Sequence, residues 1–412
     1  MLQAQHPFYR LMLEAVRLSR QGSQGFGRTA PNPCVGALLV RDDQVLAGGF
    51  HAAAGQDHAE VAALKDAAAK GVNPAECTLV VTLEPCNHYG KTPPCTKAIL
   101  EAGIRRVVIG ASDPNPQAAG GADFLRSRSV QVESGVAERE CLDNIADFLT
   151  WQNTVRPYVI LKLAATLDGR IATRSGHSKW ISGPQALARV HELRSNAQAV
   201  LIGGNTFYQD NPRLTCRAGE NPLAPATCGQ SDKIGANQSN NKPQPLAIVL
   251  SSRLPDPKQN FHLLRERPEQ VIFWTSTALS EGREAEALRR MGVRIWGLEH
   301  KSDGLLDLGA GLERLRCECG VYYLLCEGGG RLGLSLLENQ LVDEFRLHLS
   351  PKIIGDNEAR PLFDGRNSGL TGESGSLPGL SGLPALDEAP GLRFTNAEIC
   401  GDDLLLQLRR SL

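Results

Sequence analysis

HAEVAALKDAAAKGVNPAECTLVVTLEPCNHYGKTPPC, residues 58–95, decides how the first part of this chain folds. At its centre the β-branched apolar run at 78–82 (TLVVT) reads as a short buried strand. Upstream, residues 52–69 are rich in alanine and close at Gly71, which predicts a helix with His58, Ala59 and Glu60 in its early turns. Downstream, Cys86 follows the strand end, and Cys95 opens a second helical stretch at 96–102 that stops at Gly103. Helix, strand and helix in that order predict an α/β layer structure. The same reading gathers one imidazole and two thiols at element ends. One His and two Cys suit zinc with a fourth position left to water, whereas a structural zinc is closed by four protein ligands. Thiolates near helix N-termini are favoured by the helix dipole. Glu60 stands two residues past His58 and is free to carry protons.

A lone cysteine is usually a small buried hydrophobe, and a lone helical histidine is usually a satisfied polar group. The conjunction, in this order, is what points to metal. The His-x-Glu and Pro-Cys elements are similar to those of zinc-dependent base deaminases, with His58, Cys86 and Cys95 as ligands and Glu60 as general acid and base. Those proteins space their cysteines Pro-Cys-x-x-Cys, but here eight residues, NHYGKTPP, lie between Cys86 and Cys95. Zinc fixes ligand atoms at about 2.0–2.3 Å and fixes no loop length. The longer loop is therefore compatible with the metal and implies a different substrate.

Residues 82–95 (TLEPCNHYGKTPPC), together with Pro31-Asn32-Pro33-Cys34-Val35-Gly36, the His51…Gly55…His58 run and Asp113-Pro114-Asn115-Pro116, resemble the bifunctional riboflavin-biosynthesis deaminase/reductases. The resemblance spans nearly the whole chain. It implies a cytidine-deaminase-like α/β/α sandwich that removes an amino group from a pyrimidine bearing a ribose 5-phosphate. Asn32, His51, Asp113 and Asn115 would then surround the substrate, and Lys91 would meet its phosphate.

Composition agrees with an enzyme of this size. At 412 residues the chain exceeds one ordinary core and implies two domains, expected as 1–153 and 154–412. A formal net charge of −1 gives no basic field, so a polynucleotide partner is disfavoured. No apolar run approaches the roughly 18 residues of a membrane span, and the N-terminal stretch reads as an amphipathic helix rather than a signal peptide. Eleven cysteines, an odd count in a long chain, read as reduced thiols and so as a cytoplasmic protein.

Short apolar runs alternate with helical stretches along the chain. Those at 35–40 and 45–49 predict a hairpin around Asp42-Asp43, and 106–110 another strand. Residues 138–151 predict one helix. Beyond Arg156-Pro157 the expected strands are 158–164, 199–203, 246–250, 271–275, 293–296, 321–326, 345–350 and 404–408, with polar inserted loops at 218–245 and 365–391. Gly203-Gly204 and Gly328-Gly329-Gly330 follow two of these strands, where backbone amides can approach a phosphate. The bland alternative is a tight turn. No Gly-x-Gly-x-x-Gly fingerprint sits in the right context, so a Rossmann domain is not supported.

The series Lys162 to Ala172, Trp180-Ile181, Gly204-x-Thr206-x-x-x-Asp210-x-Pro212-x-Leu214-Thr215-x-Arg217 and Glu327-Gly328-Gly329 is similar to the reductase half of the same family. That resemblance implies a dihydrofolate-reductase-like α/β domain using NADPH to convert a ribosylamino to a ribitylamino group, in a homo-oligomer. Ala164, Trp180, Thr206, Asp210 and Gly329, Gly330, Arg331, Leu332, Gly333, Leu334 and Ser335 would meet the cofactor. Ser178, Arg194, Leu214, Arg217 and Glu327 would meet the substrate. Arginine forks suit a sugar phosphate, Trp180 offers a stacking face, and Lys162 is a candidate to polarise or protonate the opened sugar. Lys162 and Asp168 could instead form a structural pair at a strand end. The competing readings are a nucleoside or tRNA base deaminase fused to an unrelated domain, and a binding protein with a structural zinc.

Overall fold

A computed structural model of the 412-residue chain describes residues 6–22, 29–89, 93–216, 244–363 and 391–410. The chain forms two compact units, Met1–Val155 and Arg156–Leu412. The stretches expected as inserted loops lie outside the described residues except for 244, 245 and 391.

The first unit is built on five strands, β1 (Gly36–Arg41), β2 (Gln44–Phe50), β3 (Thr78–Leu83), β4 (Arg106–Ala111) and β5 (Gln131–Ser134), in the order β2-β1-β3-β4-β5. β1 and β2 form the expected antiparallel hairpin, and Asp42 and Asp43 at its tip both have positive φ, as a primed two-residue turn requires. β3 and β4 run parallel. Alternate residues along the strands divide between two cores. Leu38, Val40, Val80 and Val108 pack with the helix Tyr9–Gly22 and the stretch 136–151. Ala37, Leu39, Leu79, Val81, Val107 and Ile109 pack with the helices Ala59–Ala69, Cys95–Glu101 and Gly121–Ser127. The result is the three-layer α/β/α sandwich, with the central strands β1, β3 and β4 buried on both faces.

The helix Ala59–Ala69 buries Ala59, Ala63 and Ala67, a stripe repeating every four residues. Methyl side chains let it lie close on the sheet. A Cβ added at Gly49 of β2 would stand 2.2 Å from the Ala63 nitrogen. This seat fixes the position of His58 and Glu60.

Two expectations here are corrected. The helix starts at Ala59 rather than Ala52, because His58 has an extended backbone (φ −70°, ψ 160°) and is its N-cap. The single helix expected over 138–151 is two, Glu138–Asn144 and Ala146–Asn153, broken at Ile145 with φ −113° and ψ 24°.

The second unit carries a nine-stranded sheet. Its strands are β6 (Tyr158–Thr166), β8 (Ala199–Gly203), β9 (Leu246–Leu250), β10 (Val271–Ser276), β11 (Arg294–Leu298), β12 (Tyr323–Cys326), β13 (Glu344–Ser350), β15 (Leu392–Cys400) and β16 (Asp403–Arg410). They lie in the order β11-β10-β9-β8-β12-β6-β13-β16-β15, while β7 (Arg170–Ala172) and β14 (Arg360–Pro361) pair separately. β13 and β15 are antiparallel to β16, and the other neighbours within the sheet are parallel. The helices Leu308–Cys319 and Gly330–Glu338 cover one face through Leu312, Leu315, Leu332 and Leu336, against Val159, Leu161, Leu201 and Trp274.

Charge ties the unit together at two points. Arg156 forks onto Asp343 at 2.6 and 2.9 Å, next to the start of β13. The preceding helix ends where the Thr154 amide donates to the Thr150 carbonyl. Glu344, fully buried, accepts from Arg346 at 2.5 Å and from Arg409 at 3.0 Å, and these charges hold its carboxyl down at about 2 although burial alone would raise it. Breaking such a pair costs about 3–5 kcal/mol because it strands a buried charge.

Candidate functional site

In the first unit, three elements deliver the metal-type ligands. His58 caps its helix, Cys86 follows β3, and Cys95 is the first residue of its helix. The His58 Nδ1 lies 3.2 Å from Cys95 Sγ and 3.5 Å from Cys86 Sγ, and the three donor atoms fall within 4.8 Å of one another. Nitrogen and sulfur ligands on one tetrahedral zinc sit about 3.6 Å apart, from bond lengths of roughly 2.0–2.3 Å. The donor set therefore fits the ion in chemistry and spacing, despite the long loop between the cysteines. The hydrogen bond between the two thiols pulls Cys86 down, with His58 helping, and pushes Cys95 up, with burial helping.

Glu60 is buried, and burial raises its carboxyl to about 7. Asn32 Nδ2 and His51 Nε2 are 3.1 Å apart, and His51 Nδ1 meets the Asp57 carbonyl at 2.9 Å. Those contacts describe a neutral imidazole, and burial lowers its pKa. The His51 and His58 rings meet edge-on at 5.6 Å between centroids. Asp113 accepts from the Asn115 amide at 2.9 Å, and burial lifts its carboxyl to about 6. Lys91 lies outside the described residues. Sequence reasoning assigned no role to Glu84, whose carboxylate accepts from the backbone amides of Asp113 and Ala122.

In the second unit, the parallel strands β8 and β12 are neighbours, and a helix starts at the carboxyl end of each. Gly203 and Gly329 are the N-caps of these helices (Gly204–Asp210 and Gly330–Glu338), and neither makes a side-chain cap bond. A Cβ at Gly330 would stand 2.4 Å from the Leu362 carbonyl oxygen, so only glycine fits there, while Gly203 and Gly329 face open space. Paired helix N-termini at the carboxyl edge of a sheet suit a dinucleotide phosphate.

Thr206 and Asp210 belong to the first of these helices, and Asp210 has Lys179 and Arg360 among the charges acting on it. Leu332 is committed to the core and Gly333 packs against Leu161 and Leu163, so these two positions have no free side chain for a ligand. Arg331 is exposed, and Leu334 and Ser335 are half-buried. Trp180 is 57% exposed with φ +66°, and its carbonyl accepts from Lys352 Nζ; Ser178 lies exposed nearby. Leu214 is buried with φ +51°, and its carbonyl accepts from Arg267. Arg217 lies outside the described residues.

Arg194 and Glu327, expected separately at the substrate, are paired with each other through two bonds of 2.5 and 2.8 Å. Burial would raise Glu327, but Arg194 outweighs it and holds the carboxyl low. Lys162, on β6, shares this surrounding, and burial brings its amine down to about 8. Asp168 is not its partner. Asp168 instead accepts from Thr166 Oγ1 at 2.6 Å and the Gly355 amide at 2.8 Å. Ala164 lies opposite His348, which is 2% exposed.

Comparison with known proteins agrees with both halves. Residues 9–111 match the cytidine and deoxycytidylate deaminase zinc-binding region, and residues 157–380 match the RibD C-terminal domain. The riboflavin biosynthesis protein RibD of Aquifex aeolicus is 35% identical over 93% of this chain and 94% of its own length. That of Escherichia coli is 35% identical over 96% and 98%. The deaminase/reductase structure from Thermotoga maritima is 32% identical, covers 98% of this chain and 99% of its own, and superposes with a TM-score of 0.69. Fold and sites together define a bifunctional enzyme, a zinc deaminase followed by an NADPH-dependent reductase. The chain belongs to the RibD family of riboflavin biosynthesis proteins.

Proposed function

We propose that this chain deaminates 2,5-diamino-6-ribosylamino-4(3H)-pyrimidinone 5′-phosphate in its first unit and reduces the ribosyl side chain of the product to ribityl in its second. The observation that carries the reading is the convergence of His58, Cys86 and Cys95 beside a buried Glu60. Bound zinc supplies a Lewis acid that makes a water molecule nucleophilic near neutral pH. His58, Cys86 and Cys95 would hold the ion. Glu60 takes the proton from the attacking water and gives it to the ring nitrogen, then takes the remaining proton of the new hydroxyl and gives it to the departing amino group, which leaves as ammonia. Asn32, His51, Asp113 and Asn115 orient the pyrimidine, and Lys91 meets the phosphate.

NADPH supplies the hydride of the second step. Gly329, Gly330, Arg331, Leu334, Ser335, Thr206, Asp210, Ala164 and Trp180 would hold it, with the glycine-capped helix ends suited to its phosphates. Arg194, Arg217, Glu327, Ser178 and Leu214 position the substrate, and Lys162 holds the proton that the reduced sugar requires. Division of labour follows the boundary near 153–155.

We further read the protein as a cytoplasmic homo-oligomer. Cys86 and Cys95 need a compartment that keeps thiols reduced, and Phe394 and Ile399 on the outer strand β15 are 67% and 83% exposed. No helix among the described residues is long and apolar enough to cross a membrane. Purified protein given the diaminopyrimidine ribotide should release ammonia first and oxidise NADPH second. Activity on free nucleosides or tRNA, with none on the ribotide, would overturn the reading.

A further inference from the structure

The arm that carries Cys86 and the loop that carries Asp113 and Asn115 are fastened on both sides of Pro85-Cys86. Glu84, directly after β3, is 9% exposed, and its amide donates to the Ala111 carbonyl at 2.9 Å. Its Oε2 accepts from the Asp113 amide at 3.1 Å, and its Oε1 from the Ala122 amide at 2.9 Å. Those amides are the two ends of the loop at 113–122. On the far side of Cys86, the Asn87 amide donates to the Ala118 carbonyl at 3.2 Å. Ala118 packs directly with Cys86 and Cys95. Gly121 lies so close to the arm that an added Cβ would stand 1.8 Å from the Pro85 carbonyl oxygen. Within the loop, the Asn115 amide donates to Asp113 Oδ1, and the Gln117 amide to Asn115 Oδ1.

We infer that Glu84 is a positioning residue that clasps the pyrimidine-reading loop to the metal arm and so sets the distance between substrate ring and metal. The inference rests on the deaminase reading given above. With each oxygen accepting from a backbone amide, the carboxylate is engaged, and proton transfer stays with Glu60. Aspartate, one methylene shorter, cannot span both amides. Glutamine keeps the shape but turns an NH2 group toward one of the two N–H donors.

The test uses the full-length protein as Glu84→Gln and, separately, Gly121→Ala, which pushes the same loop off the arm from its other side. Zinc content, ammonia release from the diaminopyrimidine ribotide and NADPH oxidation with the deaminated ribotide are measured together. Both variants should keep zinc and NADPH oxidation, while KM for ammonia release rises about tenfold or more (about 1.4 kcal/mol) and kcat falls less. A wild-type KM in Glu84→Gln overturns the inference, as does zinc loss in step with activity, since that would make Glu84 a support for the metal arm alone. Wild-type protein that releases no ammonia at all would sink the deaminase reading instead.

Discussion

At the scale of single residues, the chemistry rests on groups whose protonation is set by where they are buried. Glu60 is the sharpest case: Glu60→Gln should keep zinc, measured by metal analysis, and lose ammonia release by about 10²–10⁴-fold, the usual worth of a positioned acid–base group. Lys162 gives a pH signature in the other unit. Burial brings its amine to about 8, with Arg194 pushing the same way and Glu327 opposing. The amine is charged below that value and neutral above it. The kcat/KM of NADPH oxidation should therefore fall as pH rises through about 8, and Lys162→Met should lower the rate and erase that limb. The gathering of His58, Cys86 and Cys95 was legible in the sequence because only a few side chains suit zinc and their order is distinctive. Glu84 was not, because a glutamate after a strand declares nothing until tertiary folding brings the 113–122 amides to it. The Arg194–Glu327 pair was hidden for the same reason, its members being far apart in the chain.

At the scale of elements, position is set by close backbone approach. The alanine stripe on Ala59–Ala69 seats that helix against Gly49, so Gly49→Ala must push it outward together with His58 and Glu60. Overpacking of this kind costs about 1–3 kcal/mol. Thermal melts should show a lowered Tm, and metal analysis a zinc content below one per chain. Strands such as β3, β6 and β8 were legible as apolar runs because they are buried on both faces. β15 was missed because most of its residues are half-buried or exposed and its register shifts between Phe394 and Asn396, which breaks the alternation. β7 and β14, of three and two residues, are too short to show a period. The break at Ile145 carries no glycine or proline to announce it.

At the scale of the whole molecule, two units with separate cores carry separate chemistries. Stripping the metal with a chelator should abolish ammonia release while leaving NADPH oxidation on the deaminated ribotide intact, and added zinc should restore the first. A parallel loss of both activities would refute that independence. The bipartite plan was readable from chain length and from two sets of motifs. The stretch of chain that joins them is short. Thr154 closes the helix of one unit and Arg156 is bolted to Asp343 in the other, which leaves Val155, 58% exposed, as the single residue between two anchors. A nick at that point would sever neither fastening. Limited proteolysis at Val155 should therefore leave the fastened end of each unit in place.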